Sequence, residues 1–125
     1  MKDSTNIQIR LIRKGLTGPD EDENDDLITI HYKGETTYHL YYKDGNTDAG
    51  VTHFTVLEAH ELDTYIMGLF KLVAADRDGF KYVQFIIPSF PSVMFTAKDL
   101  TRKVVRNKLM QVMPLMHTVG RVHLH

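Results

Sequence analysis

LITIHYKGETTYHLYYKDG, residues 27–45, decides the fold class. Two runs rich in β-branched and aromatic residues, Leu27–Lys33 and Thr36–Lys43, flank Gly34, and Asp44-Gly45-Asn46 closes the second. That pattern predicts a β-hairpin with a tight turn at Gly34. Alternation divides the first run into two faces: Leu27, Thr29, His31 and Lys33 on one, Ile28, Ile30 and Tyr32 on the other. The second set is the more apolar and is assigned to the core, and His31 and His39 are expected to face each other across the hairpin.

Working outward toward the N-terminus, NIQIRLIRKG alternates in the same way, with Ile7, Ile9 and Leu11 on one face. It reads as a half-buried strand. LTGPDEDENDD follows, and its crowded like charges predict a mobile acidic loop at about 17–26. Beyond the hairpin, VTHFT adds a short fourth strand. Thr55-Val-Leu-Glu58 fits a capping box, and Leu62, Tyr65, Ile66, Leu69, Phe70 and Val73 recur at helical spacing behind it. Gly79 is the expected left-handed terminator of that helix.

KYVQFII is apolar nearly throughout and reads as a strand covered on both faces. In FIIPSFPSVMF, residues 85–95, Pro88 and Pro91 lack the N–H that a central ladder needs. PSFPS is therefore a stiff connection, with Phe90 presented near its tip, and Val93–Phe95 begins the next strand. A second helix is expected from Thr96, with Leu100, Val104, Val105, Leu109, Val112 and Met113 as its apolar stripe. Pro114 should end or kink it, and the tail around Arg121–His125 reads as β-like or frayed.

The sum is β-β-β-(β)-α-β-β-α: an α+β fold with a mostly antiparallel sheet of five or six strands and two amphipathic helices on one face. At 125 residues the chain makes a single domain, 1–125. Unrelated groups share this string of elements, so it names no activity. With no cysteine there is neither a disulfide framework nor a thiol nucleophile. The N-terminus has no apolar core of a secretory signal, and no apolar run approaches the roughly 18 residues of a membrane span. These features carry the expectation of a cytoplasmic protein that does not engage membranes.

No set of residues assembles a recognisable chemistry. The acidic run imitates a calcium loop beginning at Asp20, but its sixth position is Asp25 instead of glycine and its twelfth is His31 instead of a carboxylate. His60-Glu61 begins a zinc-protease pattern that Thr64 breaks. His123-Leu-His125 has the form of a metal-binding pair but lacks the nucleophile helix such a hydrolase or nuclease requires. No phosphate-binding glycine pattern and no G-x-S-x-G is present. The reading is a non-catalytic protein with no cofactor and no metal.

Charge is unevenly distributed. Residues 16–78 carry four positive and fourteen negative side chains, and residues 98–125 carry six positive against one negative. The leading expectation is a small protein-binding module, an accessory, inhibitor, chaperone-like or structural subunit, that forms a homodimer or other homo-oligomer. Phe90, Met110, Met113 and Met116 are its candidate partner contacts, since methionine adapts to irregular surfaces. The alternative is a nucleic-acid-binding module that uses Lys98, Arg102, Lys103 and Arg106 on the second helix with Tyr38, Tyr41 and Tyr42 as a stacking surface. The isoelectric point of about 6.6 argues against it.

Overall fold

The structure, a computed structural model, describes residues 6–13, 25–34, 36–45, 50–75, 79–97 and 100–123. The elements run β1 (Asn6–Ile12), β2 (Asp26–Tyr32), β3 (Thr37–Lys43), β4 (Val51–Glu58), α1 (Ala59–Ala74), β5 (Tyr82–Ile86), β6 (Val93–Thr96) and α2 (Arg102–His123). The strands form one six-stranded sheet in the order β4-β3-β2-β1-β5-β6, and every neighbouring pair is antiparallel. β4 and β5 therefore point the same way with three strands between them. A tight turn cannot make that connection, and α1 carries the chain across the sheet.

Period-two alternation sorts the core. Ile7, Ile9 and Leu11 of β1 stand beside Ile28 and Ile30 of β2 and Val83 and Phe85 of β5, all buried on one face. Leu62, Ile66, Leu69, Phe70 and Val73 of α1 and Val112, Met113 and Met116 of α2 belong to the same cluster, so both helices cover that face. Three phenylalanine rings lock α1 to the β5–β6 hairpin: Phe70 lies 5.6 Å from Phe85 and 5.3 Å from Phe95, and Phe85 lies 5.9 Å from Phe95. Their tilted and edge-on packing is the preferred aromatic geometry. The α+β class, the antiparallel sheet and the two helices on one face are as the sequence predicts.

Several boundaries differ. Thr55 does not cap α1. It lies in β4 opposite Leu40, because β3 offers the whole segment a pairing partner. The cap is Glu58, whose N–H donates to Glu61 Oε1 at 2.9 Å. Likewise Thr96 ends β6 opposite Tyr82, and α2 begins later, with Thr101 Oγ1 accepting the Val104 N–H at 3.3 Å. Pro114 sits inside α2 without ending it, since buried Val112, Met113 and Met116 anchor the helix on both sides of the proline. The expected β-like tail is helical through His123, and residues 124–125 lie outside the described part. β5 is not covered on both faces: Tyr82, Gln84 and Ile86 are half-buried on the helix-free side. Gly79 adopts positive φ, at 74°, but does not terminate α1, which ends at Ala74 with Ala75 as a right-handed cap; Gly34 in the β2–β3 turn also has positive φ, at 89°.

The acidic run also divides. Residues 14–24 lie outside the described part, but Asp25 and Asp26 are buried and hydrogen-bonded. Arg10 Nη2 donates to Asp25 Oδ2 at 2.5 Å and Arg10 Nη1 to Gln84 Oε1 at 2.9 Å, on the helix-free face. Asp26, on the core face, receives Arg13 through both carboxylate oxygens at 2.7 and 3.2 Å, the Gly45 N–H at 2.9 Å, and the Tyr42 hydroxyl. Arg13 in turn stacks 4.4 Å above the Phe80 ring. One carboxylate thus ties together the chain just after β1, the start of β2, the end of β3 and the turn that follows it.

Removing a single member of such a buried pair strands its partners. Asp26→Ala is expected to cost about 3 kcal/mol of folding stability in urea denaturation. A loss below about 1 kcal/mol would show that the network is not what holds this end of the sheet.

The tyrosines set a second expectation. Burial pushes the Tyr65 phenol up to about 12 from an ordinary value of 10.0. Tyr38 is raised by burial, and Tyr42 is raised by burial and by its hydrogen bond to Asp26. The native state holds these protons more tightly than the unfolded chain does. Their contribution is complete below about pH 10 and is lost as pH rises from there toward about 12. Urea midpoints should fall across that window, and Tyr65→Phe should flatten the fall; midpoints independent of alkaline pH would contradict the assignment.

Candidate interaction edge

β4 and β6 are the two edges of the sheet, and they differ. β6 spans four residues and follows the Pro88–Pro91 connection, a short and poorly templating edge. Its one fully buried residue, Phe95, carries the Lys108 ammonium 4.9 Å above its ring. β4 spans eight residues, and none of them is proline or lysine, the residues that usually blunt an edge.

The hydrogen-bond alternation of β4 follows from the adjacent hairpin. Lys33 N–H donates to the Thr37 carbonyl at 2.8 Å, so Thr37, His39 and Tyr41 bond toward β2 while Tyr38 and Leu40 bond toward β4. Across the β3–β4 register, Leu57 opposes Tyr38 and Thr55 opposes Leu40. Those two β4 residues turn their peptide groups inward. Phe54 and Val56, between and beside them, turn theirs outward, where no described strand meets them. Glu58 also faces outward, and its N–H is taken by Glu61.

The same two residues expose their side chains. Phe54 is 54% and Val56 47% accessible, with Val51 at 55%. Burying such a side chain completely is worth roughly 1.5–3 kcal/mol, so each leaves about 1 kcal/mol unrealised in water. On the helix-free face Phe54 packs at 5.1 Å from Tyr41 and 5.4 Å from His39, and Tyr41 meets His31 edge-on at 5.3 Å. This aromatic row supports Phe54 from behind. On the opposite face His53 and Thr55 are also exposed, because α1 covers β4 only as far as Leu57.

The residues singled out from sequence are scattered relative to this edge. Phe90 is half-buried against the core, in a turn closed by its N–H to the Ile87 carbonyl at 3.2 Å. Met113 and Met116 are buried in the core cluster, which removes them as surface contacts. Met110 is exposed, at 69%. Of the basic set, Lys103 and Arg106 are exposed on α2, while Lys98 and the Arg102 side chain lie outside the described part. The stacking surface imagined beside them does not assemble. Tyr38 is buried in the core, Tyr42 holds Asp26, and Tyr41 points to the face opposite the helices. His31 and His39 are cross-strand neighbours, as expected. Among the described residues no three histidine or acidic side chains gather into a metal-binding group. No described helix is long and apolar enough to cross a membrane.

Sequence reasoning recognised β4 only as a short strand and gave Phe54 and Val56 no role. The available signal was the unbroken β-prone run VTHFTVL, residues 51–57, in which Phe54 and Val56 fall on the same face.

No family model matches the chain, and neither any curated protein nor any solved structure is similar to it.

Since the tyrosines and the basic helix face different ways, nucleic-acid affinity is expected to be weak and confined to low salt. A fluorescent single-stranded oligonucleotide in an anisotropy titration checks this. Tight binding that a Lys103→Glu, Arg106→Glu double variant abolishes would reverse the expectation.

Proposed function

We propose that this protein is a small non-catalytic binding module that takes a protein partner as an added strand on β4. One observation carries the reading: at Phe54 and Val56 the outward peptide groups and the exposed apolar side chains coincide. In strand addition the backbone ladder supplies affinity and alternate side chains supply selectivity, and both are offered at the same positions. The aromatic row of His31, Tyr41 and His39 backs Phe54, so an incoming strand meets a firmly held ring on β4. The buried charges support the non-catalytic part of the reading, because Arg10, Arg13, Asp25 and Asp26 are engaged with one another and with the backbone.

A synthetic peptide of sequence VTHFTVLE, a surrogate for an extended partner, is expected to bind when titrated to micromolar concentration and above against labelled protein held dilute enough to be monomeric. Val56→Pro should weaken that binding several-fold. This substitution removes only an outward N–H, so the ladder with β3 is kept and the fold should be unchanged by circular dichroism. A folded wild-type protein that ignores the peptide would refute the reading.

A further inference from the structure

We infer that the partner seated on β4 is a second copy of this chain, its own β4 running antiparallel across a twofold axis at Thr55. The inference rests on the reading of β4 as the docking edge and names its occupant.

Self-complementarity of the strand is the reason. An antiparallel partner must place outward-facing residues opposite outward-facing residues, and in a twofold pair the strand meets itself reversed. Centring the axis on Thr55 puts Phe54 opposite Val56 of the second copy, and Val56 opposite its Phe54. Both pairs are hydrogen-bonded pairs, so the outward N–H and C=O groups of all four residues find partners. Each pair joins an aromatic to a β-branched side chain, a favourable cross-strand combination, and Thr55 meets Thr55 on the axis. Glu58 falls opposite Thr52, so no like charges meet.

The neighbouring register, centred on Phe54, is poorer. It sets Val56 against Thr52, beside the irregularity at Tyr42/Lys43 where the regular ladder is lost. The Thr55 register keeps both Phe54–Val56 pairs clear of that irregularity, with only Thr52, opposite Glu58, beside it, and the Glu58 N–H stays with Glu61.

The axis stands perpendicular to the sheet, which gives a continuous twelve-stranded sheet, twice the six of one chain, with all helices on one side. The His39, Tyr41 and Phe54 row of one copy then continues into that of the other across the helix-free face. Exposed Thr55 and His53 become the floor between the two helix layers.

Multi-angle light scattering across a dilution series tests this on the whole chain. The wild-type protein is expected at twice its 14.4 kDa chain mass at micromolar concentration, falling toward 14.4 kDa on dilution. Val56→Pro should weaken association by at least about tenfold, since each dimer loses two ladder bonds. Phe54→Lys is a second variant that weakens it without touching the backbone. A dimer insensitive to both substitutions, in variants that remain folded, would overturn the inference by placing the interface elsewhere. A wild-type monomer at every concentration overturns it too. If the monomer still binds the VTHFTVLE peptide, the docking edge stands and only its occupant is wrong; if it binds nothing, both readings fall.

Discussion

The pairing of β1 with β5 is the constraint on which the rest of the molecule depends. Without it the chain is a four-stranded meander, β1 to β4, and a detached β5–β6 hairpin, each with one apolar face open to water. The register that sets Ile9 against Phe85 and Leu11 against Val83 merges the two into one sheet and one core. It also sends α1 across the face, since β4 and β5 end up parallel and three strands apart. Covering that face uses both helices. The sheet is left with one face that no described helix covers and with two edges, β4 and β6.

The two edges have different characters for physical reasons. β6 is short, preceded by the rigid Pro88–Pro91 connection and backed by Phe95 under Lys108. β4 is long, regular beyond its irregularity near Tyr42, and covered by α1 only at its end. A natural sheet seldom leaves such an edge bare, because it templates pairing with any extended chain. The buried polar network at one end of the sheet adds to the contrast. Asp26 fastens the chain after β1, the start of β2 and the end of β3, so the frame that presents β4 is firm while β4 itself is supported from one side only.

Where the sequence was informative, local chemistry and final structure agree. The alternation of Ile28, Ile30 and Tyr32 assigned their face correctly, the His31–His39 pairing followed from hairpin symmetry, and the two prolines marked the β5–β6 connection. Where it misled, a tertiary partner outweighed a local preference. Thr55 to Glu58 satisfies a capping box on paper but extends β4 because β3 lies beside it. Pro114 disfavours helix but sits among buried residues that hold one. Asp25 and Asp26 look like the end of a solvated acidic run, because Arg10 and Arg13, their partners, lie fifteen and thirteen residues away along the chain. The candidate edge was the least legible part. Phe54 and Val56 matter because no described strand meets their outward peptide groups, and strand order is a global property that no window of sequence contains.

Hydrogen exchange at the Phe54 and Val56 amides addresses the central claim most directly. If β4 docks a second strand, these two amides should be slow to exchange at high protein concentration and should become fast on dilution, while the Thr55 and Leu57 amides, bonded to β3, stay protected throughout. Rapid exchange at Phe54 and Val56 at every concentration would contradict the claim.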